Sequence, residues 1–590
     1  MDIFVVLSIL LIAIFLFATE WIRMDLVSLM VLLALGLTRQ VTPTEAFAGF
    51  SNPAVITVAA MFIISAAIAN TGATIKLGQR LMQYAGTSEV RLVIIVMVTV
   101  AGFSAFINNI GATAMMMPLV IAMAQKVRIP PSKLLIPLAF GSLMGGVCTL
   151  IGTPPNILMN ELLFEYTGQS FRMFDFTPIG LLIVAAGVTY MVKVGFKLLP
   201  SRKSGTLTHA YQVKEYVTEV AVLDNSPLIG KTLAQCGFEH EFKLKVRALL
   251  RNRRKMPQPR RNRKLQGGDI IFLEGNPEGI LKVRHKKGLE VVPERDNPPG
   301  QGGDPKDIVV VEASLSPTSE MVGKTLRDVR FADTHGMTVL AIWRSGSPVV
   351  KRVDHVALRF GDVLLLQGTQ QKALHLGKEH GFLLLGGVQQ ASYFPRKAPI
   401  AITTLIGVVL LAATGMLPIM LSATLGALVL VLCNCLTPKE AYESIDWAII
   451  LLIAGTLPLG IAMEKSGAAK LLADMIVGGV GPLGPWAVLA GLFLVTFLLT
   501  SIMSNAAAAV LVAPIAFNAA LDLSIHPKPL FMAVAIAAST CFMTPISHQS
   551  NALVMGPGGY RFLDYTKVGA PLNLLVMLIA TLVIPLLYPF

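Results

Sequence analysis

Apolar and polar positions along this chain fall into long blocks, not into the close alternation of a half-buried strand. Runs of about 20 apolar residues, long enough to cross a hydrocarbon layer, lie near 3–19, 23–39, 52–69, 134–151 and 177–199. Five more lie near 398–414, 418–435, 447–463, 529–550 and 568–588. Two longer stretches, 90–125 and 486–520, are apolar at both ends and polar in the middle. That pattern predicts a hairpin that enters the membrane, turns at mid-depth and leaves by the same face. Between 201 and 390 the pattern changes to short β-branched runs ending at glycine, such as Asp269-Ile270-Ile271-Phe272-Leu273, which predict strands. The first run, Ile3–Phe17, has neither a basic n-region nor a small-residue cleavage site, so a retained helix is expected.

Composition fits two membrane blocks around a polar insert. Of the 590 residues 54% are apolar and 14% charged, and mean hydropathy is +0.66, whereas soluble chains carry about 25% charge. The stretch 201–390 holds 30 of the 49 Lys and Arg and 20 of the 35 Asp and Glu. Disorder, a secreted disulfide scaffold and a purely soluble enzyme are excluded. The five cysteines are scattered and expected as small apolar filler, and Cys433-Asn434-Cys435 lacks the further ligands zinc would need.

The two blocks are copies of one unit. Thr42-Pro43-Thr44-Glu45-Ala46-Phe47 recurs at an offset of 395 as Thr437-Pro438-Lys439-Glu440-Ala441-Tyr442. One residue further, Asn109 falls on Asn505 and Pro118 on Pro514, and at 395 Asn156 falls on Asn551. About five crossings per copy is an odd number, so the second copy is expected inverted relative to the first. Loop charge agrees in the first half. Lys76, Arg80, Arg91, Lys126, Arg128 and Lys133 flank the first hairpin, while Glu161, Glu165 and Asp175 lie in a predicted outer loop near 160–176. The positive-inside rule then puts the insert in the cytoplasm and both termini outside. Lys465, Lys470 and Lys528 fall on the outer side and weaken the same test in the second half.

Irregular backbone survives in a membrane only where it is buried in protein or lines a cavity. Inverted repeats with interrupted helices point to alternating-access transport, with the site between the repeats. The first hairpin breaks at Ile107-Asn108-Asn109-Ile110-Gly111-Ala112-Thr113, the second at Met503-Ser504-Asn505-Ala506. Asn and Ser are good N-caps, and a helix starting at each break would aim free N–H groups at an anion. Small-residue helix packing is the competing reading. A second pair of breaks is Ile151-Gly152-Thr153-Pro154-Pro155-Asn156 and Thr544-Pro545-Ile546-Ser547-His548-Gln549-Ser550-Asn551. Proline removes N–H donors and leaves carbonyls unpaired, which, with Asn and Thr oxygens, suits sodium. A simple proline kink is the alternative. Neither hairpin nor break contains Asp or Glu, which argues against a carboxylate proton relay and a cationic substrate. His548 has three open roles: binding the anion, titrating, or hydrogen bonding to neighbouring backbone.

Together the two tips, Gly152-Thr153-Pro154-Pro155-Asn156 and Met555-Gly556-Pro557-Gly558-Gly559-Tyr560 resemble the divalent anion:sodium symporters, part of a superfamily that includes citrate and arsenite carriers. The resemblance covers both membrane blocks. It implies a homodimer, elevator-type movement, and sodium sites made by each tip with its facing broken helix. Carried over residue by residue, Asn109, Gly152, Thr153, Asn156, Asn505, Thr544, Ser550 and Asn551 would hold sodium. Asn108, Asn109, Ile110, Gly111, Pro154, Ser504, Asn505, Ala506, His548 and Gln549 would face the substrate. The family pattern at both tips is Ser-Asn-Thr. Here the third position is Ile110 or Ala506, which counts against a dicarboxylate. Members with a comparable cytoplasmic insert resemble sulfate permeases, so sulfate leads.

The insert repeats internally at an offset of 93, with Gly230-Lys231-Thr232-Leu233 mapping to Gly323-Lys324-Thr325-Leu326 and Gly268-Asp269 to Gly361-Asp362. Two small α/β modules are expected, divided by the Pro/Gly-rich linker 293–305, and they resemble tandem TrkA-C (RCK C-terminal) domains. That resemblance implies sensing of a small ligand or nucleotide. Glycine is missing where a phosphate-binding loop needs it, since Asn225 and Thr318 occupy those positions, so an ATPase is not expected. The basic run 251–264 is read as a solvated hairpin, a contact with anionic lipid or a contact for an acidic ligand, and not as a DNA site.

The fold expected is thus an α-helical polytopic membrane protein of two inverted repeats, 1–200 and 393–590. Its cytoplasmic insert has two TrkA-C-like domains, 201–296 and 297–392. The expected function is sodium-driven import of a small divalent oxyanion across a plasma membrane, with no cofactor beyond the coupling ion; an enzyme is the weakest reading, because no nucleophile–base pair or metal cluster appears. The rivals are a proton-coupled carrier or exchanger using His548 and a membrane sensor whose output is the insert.

Overall fold

The computed structural model describes the helical blocks over 2–19, 21–72, 88–127, 129–201 and 397–590, and the insert mainly over 216–275, 289–291, 308–315 and 319–386 with short gaps. Lys76, Arg80, Arg128 and the linker 293–305 lie outside the described residues, as do several positions of the basic run 251–264.

Helices in the first block run Asp2–Thr19, Met24–Leu37, Pro43–Ala48, Pro53–Thr71, Glu89–Ser104, Asn109–Lys126, Leu135–Gly146, Pro154–Thr167 and Thr177–Tyr190. In the second block they run Ala398–Ala413, Ile419–Leu432, Pro438–Glu443, Trp447–Ser466, Ala468–Val480, Pro485–Thr500, Asn505–Asp522, Lys528–Ser539, Gln549–Gly558 and Phe562–Leu587. Five described helical segments are long and apolar enough to cross a membrane, the longest being Pro43–Thr71 and Phe562–Leu587. One apolar core extends through both blocks, as a polytopic membrane protein requires.

The repeat is visible in local conformation. Thr42 and Glu45 form a capping box at the start of Pro43–Ala48, and Thr437 and Glu440 form the same box at Pro438–Glu443. In each, the Thr hydroxyl accepts an N–H that the helix would leave unpaired, while the Glu carboxylate accepts the Thr N–H. Arg39 and Asn434, 395 apart, both adopt positive φ, at 59° and 54°. Each hairpin's two arms pack against each other, Glu89–Ser104 on Asn109–Lys126 and Pro485–Thr500 on Asn505–Asp522.

Three expectations need correction. The runs 134–151 and 529–550 are not single helices: the first arms stop at Gly146 and Ser539, and new helices start at Pro154 and Gln549. The prolines at 154 and 155 occupy the first positions of a helix, where the missing N–H costs nothing, so they begin an element as well as interrupt one. Glu161 and Glu165 accordingly lie on the helix Pro154–Thr167, not in a loop. Ala468–Val480 is a helix that the span pattern did not predict.

The insert holds two five-stranded antiparallel sheets. The first comprises β1 Tyr216–Val222, β2 Lys245–Arg251, β3 Arg254–Pro257, β4 Ile270–Gly275 and β5 Leu289–Val291, in the order β3-β2-β4-β1-β5. The second comprises β6 Ile308–Leu315, β7 Thr338–Arg344, β8 Ser347–Pro348, β9 Val363–Thr369 and β10 Phe382–Gly386, in the equivalent order read from the other end. Register irregularities recur 93 residues apart, at Val246/Ala248 and Val339/Ala341. So does a buried clamp: Arg251 pairs with Asp269 and Arg344 with Asp362, each at 2.6 Å. The two Gly-Lys-Thr sequences form turns, in which the Thr232 and Thr325 N–H groups donate to Gln235 and Asp328 side chains. Of the basic run, Arg251 and Arg254 are backbone partners in the β2–β3 pairing.

Three tyrosines tie the blocks together. Tyr560 donates its hydroxyl to the Ser132 carbonyl and accepts the Ile136 N–H, Tyr190 donates to the Val568 carbonyl, and Tyr588 to the Asp175 carbonyl.

Candidate functional site

At the first tip Asn108 caps the outgoing helix. Its Oδ1 accepts the Gly111 N–H at 2.6 Å, and its carbonyl accepts the Ala112 N–H at 3.0 Å. Ile110 and Gly111 form the first turn. Asn109 is buried: its Oδ1 accepts the Ser104 hydroxyl at 2.7 Å, and its Nδ2 has no partner among the described residues. The hydroxyls of Thr113 and Ser142 both donate to the Asn109 carbonyl or to each other, at 2.8 to 3.2 Å.

The first broken helix comes up against this tip through glycine. A Cβ at Gly146 would lie 2.3 Å from Asn109 Oδ1, and one at Gly152 would lie 2.4 Å from the Gly146 carbonyl. Only residues without a side chain allow that approach. Thr149 donates to the Ala105 carbonyl, and Asn156 Nδ2 donates to the Thr149 carbonyl at 2.8 Å. Thr153 precedes Pro154 in extended conformation. Thr153 Oγ1 and Asn156 Oδ1 are buried without a partner among the described residues.

The second block repeats this construction. Ser504 Oγ accepts the Ala507 N–H at 3.3 Å, and Thr500 donates to Asn505 Oδ1 at 2.7 Å. Ala506 is buried in the first turn. Asn551 Nδ2 donates to the Thr544 carbonyl at 3.2 Å, seven residues back as in the first block, and to the Cys541 carbonyl at 2.9 Å. Asn551 Oδ1 and Ser550 Oγ are buried and unpartnered among the described residues. Cys541 stands where the repeat has Gly146, and its thiol lies 3.4 Å from Asn505 Nδ2, so it is not mere apolar filler. His548 caps the helix Gln549–Gly558 by accepting the Ser550 N–H on Nδ1 at 3.0 Å, the backbone role among the three left open. Gln549 is half-buried at the same helix start.

The halves meet crosswise. The helix leaving the Asn109 tip packs on Gln549–Gly558, and the helix leaving the Asn505 tip packs on Pro154–Thr167. Phe140 of the first block and Phe542 of the second meet at a tilt, with ring centroids 4.9 Å apart. The candidate residues thus form two clusters: Asn108, Asn109, Gly111 and Gly152 around Gly146 with Asn156 behind, and Asn505, Thr544 and Asn551 around Cys541. Sequence reasoning missed Ser104, Thr500, Ser142, Gly146 and Cys541. The offset of 396 does place Ser104 on Thr500, so that pair was within reach of the repeat.

Buried oxygens with no internal partner are costly unless something else meets them. Two such sets, each beside a capped helix start and joined crosswise in a membrane-type helical protein, make the construction of a transporter. The chain belongs to the citrate transporter family, whose pattern it matches over residues 14–537. It is 37% identical to an uncharacterized transporter of Synechocystis sp., covering 99% of this chain and 96% of that one. It is 33% identical to an uncharacterized transporter of Escherichia coli, covering 99% of both. It is also 24% identical to sodium/sulfate cotransporter 1 of Chlamydomonas reinhardtii, covering 95% and 87% respectively.

Proposed function

We propose that the protein is a divalent anion:sodium symporter that carries sulfate inward with sodium by elevator-type alternating access. Its two halves are inverted, and the TrkA-C-like insert lies on the cytoplasmic side as a ligand-responsive gate. The observation that carries this reading is the duplicated cluster: a buried tip asparagine clamped by a hydroxyl five residues upstream, beside a broken helix whose own asparagine holds a buried, unpaired Oδ1. Such neutral hard oxygens suit sodium. Asn109, Gly152, Thr153 and Asn156 would serve one ion, and Asn505, Thr544, Ser550 and Asn551 the other. The helix starts at Asn108-Asn109-Ile110-Gly111 and Ser504-Asn505-Ala506, with Pro154, His548 and Gln549, would face the anion. The similarity to a sodium/sulfate cotransporter supports the choice of ions.

Contacts between distant segments support inversion. Lys465 pairs with Glu45 and Lys528 with Asp175, segments the inverted arrangement places outside. Tyr560 meets Ser132 on what would be the inner side. Charge explains the need for cotransport. Moving each negative charge into a negative interior costs about 2.3 kcal/mol per 100 mV, so three or more sodium ions make sulfate uptake favourable.

His548 argues against proton coupling. Its Nδ1 accepts a backbone N–H, which leaves Nε2 as the donor in the neutral ring. Protonating Nδ1 would break the helix cap. Uptake of labelled sulfate into proteoliposomes with sodium as the sole gradient tests the proposal, and accumulation above equilibrium is expected. Equal uptake on a proton gradient without sodium would overturn the coupling, and saturable binding without flux would overturn transport.

A further inference from the structure

The second insert module touches both helical groups of the membrane region, and the first does not share its key contact. A Cβ at Gly556 would lie 3.0 Å from Ser314 Oγ on β6 and 3.4 Å from the Gly361 carbonyl in the turn before β9. Gly556 is in the last turns of Gln549–Gly558, the helix that begins at the His548 cap and carries Ser550 and Asn551. Ten residues of helix span about 15 Å, so this arm is a short strut between the second cluster and the insert. On the other side, Glu320 of the same module pairs with Arg23 at 3.3 Å. Arg23 opens the helix Met24–Leu37, which packs on Trp447–Ser466.

The first module shows that this contact is not a by-product of the module's fold. Gly268 is the repeat equivalent of Gly361 and has the same φ of 78°, but a Cβ there would meet nothing within 4 Å. Ser314 corresponds to Ala221. The buried Arg344–Asp362 clamp sits beside Gly361, and Asp362 also accepts the Arg359 N–H at 2.8 Å. The turn is therefore held rigidly where it meets the helix.

We propose that the second insert module is a strap: it joins the Arg23 end of one helical group to the outgoing arm of the second broken helix, and transport requires the Ser314–Gly556 contact to open. This rests on the transport reading and adds the surface through which the insert acts on the site. Only glycine fits between these groups without crowding, so an arm that shifts during transport must slide against or separate from Ser314 and Gly361. A ligand that moves the turn would release the arm, and one that stiffens it would hold the carrier still.

The test is a disulfide in the full chain, Ser314→Cys with Gly556→Cys, in a Cys433→Ser background that removes the exposed native thiol. A Cβ at 556 would stand 3.0 Å from Ser314 Oγ, the place the new sulfur at 314 takes, which is within reach of an S–S bond of about 2 Å. With sulfate and sodium in proteoliposomes, oxidation is expected to lower uptake about tenfold, and reductant to restore it. Crosslinking should slow about threefold while sodium and sulfate drive turnover. Wild-type uptake by a crosslinked protein, verified by peptide mass, overturns the strap. So does a crosslinking rate that ignores turnover, a measurement that stands even if the double variant carries poorly. Glu320→Lys loosens the other foot and should raise uptake roughly twofold, since an exposed ion pair is weak; no rise would leave Arg23 out of the strap and overturn the bridging claim. If wild-type flux proves to be driven by protons, the sodium reading falls, and the same disulfide comparison is made on that flux.

Discussion

The two hairpin tips have the same plan but differ in how completely they satisfy themselves. Ser104–Asn109 and Thr500–Asn505 are superimposable in kind, each a hydroxyl donating at 2.7 Å to an amide oxygen five residues on. At the first tip the opposite wall is Gly146, and Asn109 Nδ2 has no partner among the described residues. At the second the wall is Cys541, whose thiol meets Asn505 Nδ2 and whose carbonyl accepts from Asn551. Beneath the first tip, the hydroxyls of Thr113 and Ser142 brace the Asn109 carbonyl. Their repeat equivalents, Ala509 and Ala537, cannot do so. A duplicated plan has thus given one glycine-walled, hydroxyl-braced tip and one whose amide is met by sulfur.

The difference can be tested by exchange. Gly146→Cys copies the second wall onto the first and should reduce sodium-driven uptake about 100-fold, because overpacking of this kind costs up to about 3 kcal/mol; initial rates in proteoliposomes at matched protein content measure it. Near-normal rates would show that the close approach of Asn109 to Gly146 is not needed for transport. Asn109→Ala and Asn505→Ala should both impair uptake while the protein still elutes as wild type from a sizing column. The loss is expected to be about tenfold for Asn109 and about threefold for Asn505, whose amide already has an internal partner. Equal losses would make the tips functionally equivalent despite their chemistry. The smallest effect is expected for Cys541→Gly. Opening the second wall should lower the sodium concentration at half-maximal uptake by about twofold to threefold, and an unchanged sodium curve would reduce the thiol to packing.

Much of this architecture was legible because a membrane helix is declared by its length and apolarity, and because duplication writes each break twice. Asn109 with Asn505 and Asn156 with Asn551 stood out as polar residues in apolar runs. Gly146 and Cys541 did not, since a glycine or cysteine in an apolar helix has no polar signature; their significance lies in which side chain approaches them across the fold. Helix ends were blurred for a related reason. Leu135–Gly146 and the residues up to Pro154 carry no charge and only three hydroxyls, Ser142, Thr149 and Thr153, so nothing in the sequence marks where hydrogen bonding stops before Pro154. Glu161 and Glu165 fall in the predicted loop because the preceding span is read as ending at 151, whereas the helix Pro154–Thr167 carries them.

The tyrosine bridges have a consequence for biogenesis. Ser132 is bonded by Tyr560, 428 residues later in the chain. At about 5–20 residues per second of synthesis, the first block waits roughly 20 to 90 seconds for this partner, with the whole insert translated in between. During that interval the Ser132 carbonyl and the Ile136 N–H of the first block must be met by something other than Tyr560.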